Sequence, residues 1–357
     1  MDISRRIEYI DALRGFTMTL VVAVHIYNFS FMQGNVTEYS LSFNNFFGLF
    51  RMPLFYFISG FVFYKYDRIW DFITFRKFIS SKIRVQLFST IVFLWLFCFL
   101  FQGNLHYSLY DSQKSGYWFT YVLFIYFIIY IGIDKTICWI SRETTFNNYT
   151  IITSLIIGLI LYYFTNNGIL LNILSPQTTT LLSIHKWQFF LFFSFGCFIH
   201  KYYDAFLKLH NNTFLKDGIL LLFVCCTICI FYQNCNVILI HTYILKLFTA
   251  LCGIILVMYI FKDNESYLSK STKLGKCLQY IGKHTLDIYF LHYFFLPYNL
   301  STIGRWLDKN PNPLLEFCMS LLLALIVMAC CLFFSKIIRI SPTLAYLLLG
   351  AKRNKKK

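Results

Sequence analysis

The chain is 357 residues long, 58% hydrophobic, 21% aromatic and only 13% charged. A soluble domain carries about 25% charged residues, so the composition excludes a water-soluble globular enzyme and indicates an all-α, polytopic integral membrane protein. The net charge of +16 in a soluble protein would suggest a nucleic-acid partner; in a membrane protein, basic cytoplasmic loops account for it first, and no nucleic acid is expected.

The N-terminus, MDISRRIEYIDALRG, leads directly into a long apolar run and shows no small-residue cleavage site. It is therefore expected to be a first membrane helix rather than a removed signal. Runs long enough to cross a bilayer follow at roughly 10–31, 44–64, 85–102, 117–133, 149–165, 185–200, 218–233, 243–261, 285–300 and 314–335. That predicts about ten transmembrane helices in a single membrane-embedded domain, 1–357, with a basic tail at 336–357. Connections 65–84 and 262–284 mix bases with aromatics and leucines, as interfacial amphipathic helices do. The uncharged stretch 166–184 is expected to dip into the interface. Cys225, Cys226 and Cys229 typify the twelve cysteines: they sit in apolar runs without paired CxxC spacing and read as small buried hydrophobes, so no metal site is expected.

The basic residues orient the chain. With the N-terminus in the cytoplasm, 25 of the 32 Lys and Arg residues fall in cytoplasmic segments and three (Lys114, Arg305 and Lys309) fall outside. Arg14, Arg51, Lys186 and Lys246 lie inside or at the edges of spans. Such a bias places both termini in the cytoplasm.

None of the sixteen acidic residues falls at the centre of an expected span. A proton-driven transporter usually keeps a carboxylate at mid-membrane. There is also no GxSxG elbow and no phosphate loop. His25 and His292, by contrast, lie well inside spans, and imidazole is a base near neutral pH. Arg14 precedes His25 by eleven residues. On an α-helix these two lie roughly 20° apart on one face and about 16 Å apart along the axis. Arg51 in FRMPLFYFISG sits about as far below the outer surface as His25, roughly 9 Å, and Pro53 should bend that helix or free a carbonyl. Structural readings stand beside these functional ones. Arg14 can bridge Asp11 at i+3, Arg51 can snorkel to headgroups, and a membrane histidine can simply bond a neighbouring helix.

IDALRGFTMTLVVAVH followed by FRMPLFYFISGFVF resembles the opening of the acyltransferase 3 family of integral membrane acyltransferases. YWFTYVLFIYFIIY, FFLFFSFGCFIH, LQYIGKHTLDIYFLH and the terminal YLLLGAKRNKKK are similar to later segments of that family, in the same order. The resemblance implies ten membrane helices in the cytoplasmic (inner) membrane. It also implies transfer of an acyl group, usually acetyl, from cytoplasmic acyl-CoA to a carbohydrate hydroxyl. By position, the family's catalytic histidine falls on His25 and its first-helix arginine on Arg14. Members often carry a proline before the third helix, after the basic run; here Gln86 and Ser89 stand nearby instead.

The expected function is therefore O-acylation of a cell-surface polysaccharide or a lipid-linked oligosaccharide. Acyl-CoA, normally acetyl-CoA, is the donor substrate, and no permanently bound cofactor is expected. Arg14, with Lys82 and Arg84 of the basic loop, would hold the donor's phosphates. His25 would act as general base or, alternatively, as transient acyl carrier. Arg51 would stabilise the oxyanion or hold the acceptor, and His292 would orient His25 or bind acceptor. A transporter or flippase for a lipid-linked glycan, or a membrane scaffold, is the alternative from a different class.

Overall fold

The computed structural model describes residues 7–32, 42–65, 68–102, 105–141, 147–232 and 239–351. Most of the outer loop expected at 32–43 and the end of the basic tail lie outside the described residues. The described chain is helical throughout, with no strand. Eight of its helices are long and apolar enough to cross a membrane: Glu8–Ser30, Phe43–Phe63, Phe72–Phe101, Trp118–Ser141, Asn148–Asn166, Thr213–Phe231, Thr242–Asp263 and Pro313–Ile340.

Two expected spans take other forms. The sixth is a 3-10 segment, Ile184–Phe189, running into an α-helix, Phe190–Lys201. At about 2.0 and 1.5 Å per residue the pair still reaches roughly 30 Å, the thickness of a hydrocarbon core. The ninth is helical only over Thr285–Phe295, roughly 16 Å; Leu296 is extended and Pro297 follows. The fourth continues to Ser141, past its expected end. Asp134 is carried inside it, buried, and accepts from Thr150 Oγ1 at 2.9 Å.

Both loops expected to hold amphipathic helices do so. Phe72–Lys82 starts at the cap residue Asp71, whose carboxylate accepts from Thr74 N at 3.0 Å. It joins the third span through a π segment, Ile83–Phe88. Lys273–Lys283 starts at Thr272, which accepts from Gly275 N at 2.9 Å. Its inner face packs on the first helix: a Cβ on Gly15 would lie 2.1 Å from Leu278 O, and one on Gly282 would lie 1.8 Å from Asp11 O. Only glycine lets two helix backbones approach this closely, and between membrane helices such contact replaces the missing hydrophobic drive.

The chain divides into two compact units, Met1–Phe55 with Asp204–Ser335, and Tyr56–Tyr203 with Lys336–Lys357. In the first, the helix Glu8–His25 is almost entirely buried. Phe206 packs on Tyr259 with centroids 5.2 Å apart. Glu316 accepts from Ser42 Oγ at 2.5 Å and Asn44 Nδ2 at 3.2 Å, tying the start of helix Phe43–Phe63 to that of Pro313–Ile340. In the second, Gly60 and Gly196 form another glycine crossing, each against the backbone of the opposite helix. Aromatic rings fill the space around it, with Phe63 on Phe127 at 4.9 Å and Tyr56 on Tyr126 at 5.0 Å.

Candidate active site

The site assembles in the first unit where two helix faces meet. Glu8–His25 is a regular α-helix, so Arg14 and His25 do share a face, roughly 16 Å apart along the axis. A π segment, Ile26–Ser30, begins at the residue after His25; such segments are frequent at functional sites. On Thr285–Phe295, Thr285 and His292 are seven residues apart and hence also about 20° apart on one face. The two faces align in parallel. Near one end Arg14 Nη2 donates to Thr285 Oγ1 at 3.2 Å; near the other, His25 Nδ1 lies 2.8 Å from His292 Nε2. Charge bias, which sends both spans outward from the cytoplasm, expects the same parallel run.

Backbone carbonyls decide where the protons sit. His292 is fully buried. Its Nδ1 lies 3.0 Å from Ile288 O and 2.8 Å from Tyr289 O. A carbonyl oxygen only accepts, so Nδ1 carries the hydrogen. In the neutral ring Nε2 is then a lone pair, which must accept from His25 Nδ1–H. That leaves His25 Nε2 as the basic nitrogen of the pair. His25 is partly accessible whereas His292 is not, so the basic nitrogen belongs to the ring that a substrate can reach.

Tyr293 completes the cluster. Its hydroxyl is 3.5 Å from His25 Nε2, and its ring stacks on His25 with centroids 5.1 Å apart. Sequence reasoning missed both Tyr293 and Thr285. The signal for Thr285 was available, since its spacing of seven from His292 matches the eleven between Arg14 and His25. Tyr293 gave no periodic signal beyond adjacency to His292.

Arg51 stands two residues before Pro53 on helix Phe43–Phe63, and its charge acts on His25. The proline lacks an N–H, so the Leu49 carbonyl has no i+4 donor there. Arg51 Nε is buried with no hydrogen-bond partner among the described residues. At the other end of the first helix, Arg14 lies 4.0 Å from Asp11, and its side chain keeps 31% of its surface exposed. Asp287 accepts from Ser335 Oγ at 2.6 Å and pairs with His284 Nδ1 at 3.1 Å, fixing the start of the helix that carries His292.

Lys82 and Arg84 belong to the second unit. The Lys82 ammonium sits over the Phe127 and Phe78 rings at 4.7 and 5.4 Å. The Arg84 guanidinium covers Tyr346 at 4.9 Å, and its Nε is buried without a hydrogen-bond partner among the described residues. Together, then, the structure brings His25, His292 and Tyr293 into hydrogen-bonding range, with Arg14 on the same helix face.

An imidazole base held in one tautomer suits proton transfer from a hydroxyl to a leaving group. No match was found among the curated proteins or among the solved structures. The family model for the acyltransferase 3 domain, described as an acyltransferase domain, matches residues 7–335. With nearly the whole chain covered, the protein belongs to the acyltransferase 3 family and is a multi-pass membrane acyltransferase.

Proposed function

We propose that this acyltransferase moves an acetyl group from cytoplasmic acetyl-CoA to a sugar hydroxyl of a cell-envelope polysaccharide or its lipid-linked precursor, in the cytoplasmic (inner) membrane. The observation that carries the reading is the 2.8 Å contact between His25 and His292, with His292 held in one tautomer by two carbonyls. The sugar oxygen attacks the thioester carbonyl as His25 Nε2 takes its proton. The carbon–sulfur bond breaks, and the same proton passes to the departing thiolate of CoA. Positive charge arising on His25 spreads to His292 through their shared hydrogen bond. Arg51 stabilises the carbonyl oxygen as it gains charge. If His25 instead carries the acyl group transiently, transfer follows ping-pong kinetics. The direct test compares surface glycans with and without the gene by mass spectrometry. A loss of acetyl groups is expected, and identical glycans would reject the reading.

Arg14 is proposed to anchor a phosphate of CoA at the other end of the same helix face. Its exposed third and its planar fork suit a phosphate oxygen pair. Losing a charge-assisted contact costs about 1.5–3 kcal/mol, so Arg14→Ala should bind acyl-CoA roughly 10–100-fold more weakly. Arg14→Lys should fall between. Were Arg14 only the partner of Asp11, Asp11→Ala would reproduce the Arg14→Ala phenotype, with lower melting temperature and unchanged affinity in the folded fraction. Acyl-CoA binding measured beside melting temperature on the purified variants separates the two.

A further inference from the structure

Away from the histidines, the loop before helix Trp118–Ser141 and the turn before helix Phe190–Lys201 meet in the second unit and bring two lysines together. Charge bias assigns this end to the side opposite the basic loops. Lys114 is 3% exposed. Its ammonium donates to Leu109 O at 3.0 Å and Thr180 O at 3.2 Å and lies 5.0 Å from the Tyr121 ring. Burial pushes its pKa down to about 8, against the opposing pull of Asp111.

Lys186 is different. Its ammonium stands 4.4 Å over the Trp118 ring, and among the described residues no hydrogen bond or ion pair reaches it. Beside it, His185 Nε2 is buried with no hydrogen-bond partner among the described residues. Asp111, the carboxylate felt by both lysines and by His185, is already engaged by the backbone N–H groups of Gln113 and Ser115. Two lysines facing one carboxylate leave a single positive charge uncompensated. The two turns are also strained: Lys114, Ser115 and Ser183 have φ of 45°, 50° and 50°, a region non-glycine residues avoid and one that recurs at ligand clamps.

We propose that Lys186 and His185, backed by Lys114, form a binding site for a phosphodiester group. A phosphodiester carries one negative charge, which matches the one left over. Its two free oxygens are acceptors that suit the Lys186 ammonium and a His185 Nε2–H. On this side of a bilayer such a group is carried either by a phospholipid headgroup or by a sugar phosphodiester. Because the site is defined without reference to acyl transfer, its failure leaves the acyltransferase reading untouched.

The full chain, purified in phosphate-free maltoside micelles without acyl-CoA, is titrated with dihexanoylphosphatidylglycerol, with glucosyl methyl phosphate and with dihexanoylglycerol as the neutral control. Affinity and melting temperature are read for each. Saturable binding of a phosphodiester, with none of the neutral lipid, is expected. Lys186→Gln should weaken it about tenfold or more, as loss of a charge-assisted hydrogen bond does, and Lys186→Arg should retain it. Binding of the phospholipid alone identifies a headgroup site; binding of the sugar diester alone identifies a glycan site. The proposal is overturned if neither diester binds, or if Lys186→Gln binds as the wild type does. Should Lys186→Gln fail to fold, loss of binding in a folded His185→Gln supports the site and undiminished binding there rejects it.

Discussion

His25→Ala is expected to lower acyl transfer by roughly 10²–10⁴-fold, the contribution typical of a positioned general base, while the protein still inserts and folds. The basis is the tautomer chain: two carbonyls hold the hydrogen on His292 Nδ1, and His292 Nε2 holds the hydrogen on His25 Nδ1. His25→Gln keeps much of the volume and some of the hydrogen bonding, so it separates base chemistry from packing. His292→Ala tests the same chain from behind. Losing the acceptor of a hydrogen bond to a group that becomes charged costs about 1.5–3 kcal/mol, roughly 10–100-fold, and the loss should fall on kcat with KM nearly unchanged. His292→Gln offers His25 Nδ1–H an acceptor again and should recover part of it. Near wild-type transfer by folded His25→Ala would remove the mechanism.

Gly282→Ala should be among the most destabilising small substitutions in the first unit. Its new methyl would sit 1.8 Å from Asp11 O, with backbone on the other side of the contact. Neither helix can yield by turning a side chain, so the pair must move apart by more than an ångström. Overpacking of a tight contact costs about 1–3 kcal/mol and occasionally more. Gly15→Ala meets Leu278 O at 2.1 Å and should behave alike. The contrast is Gly132→Ala: it also lies in a helix, Trp118–Ser141, but nothing lies within 4 Å of its Cβ position. There alanine should be neutral or stabilising by about 0.5–1 kcal/mol, since glycine loses more freedom in a helix. Melting temperatures of the three variants in one detergent test this. Equal effects at Gly282 and Gly132 would mean that the close crossing is not what holds the first helix. Activity should fall with Gly282→Ala as well, because the helix after Lys283 carries Thr285 and His292.

The sequence by itself determined the class of protein. A run of twenty apolar residues needs no partner to declare itself, because lipid is its solvent and every backbone group is satisfied within the helix. It also determined that Arg14 and His25 share a face, since that follows from 3.6 residues per turn along one continuous helix. Motif resemblance in LQYIGKHTLDIYFLH marked the segment holding His292. The structure alone decided that His292 touches His25. These residues are 267 apart in the chain, and no local period reports which helix face lies against which. It decided, too, that the helix carrying His292 is only about half a membrane long, because hydropathy measures apolar content and not where a backbone stops turning. Lys273–Lys283 makes the point most directly. An amphipathic pattern is the same whether its apolar side meets lipid or protein, and the sequence favoured lipid. Gly15 and Gly282, two residues without side chains and so without any signal in hydropathy, settled the matter by letting the backbones touch.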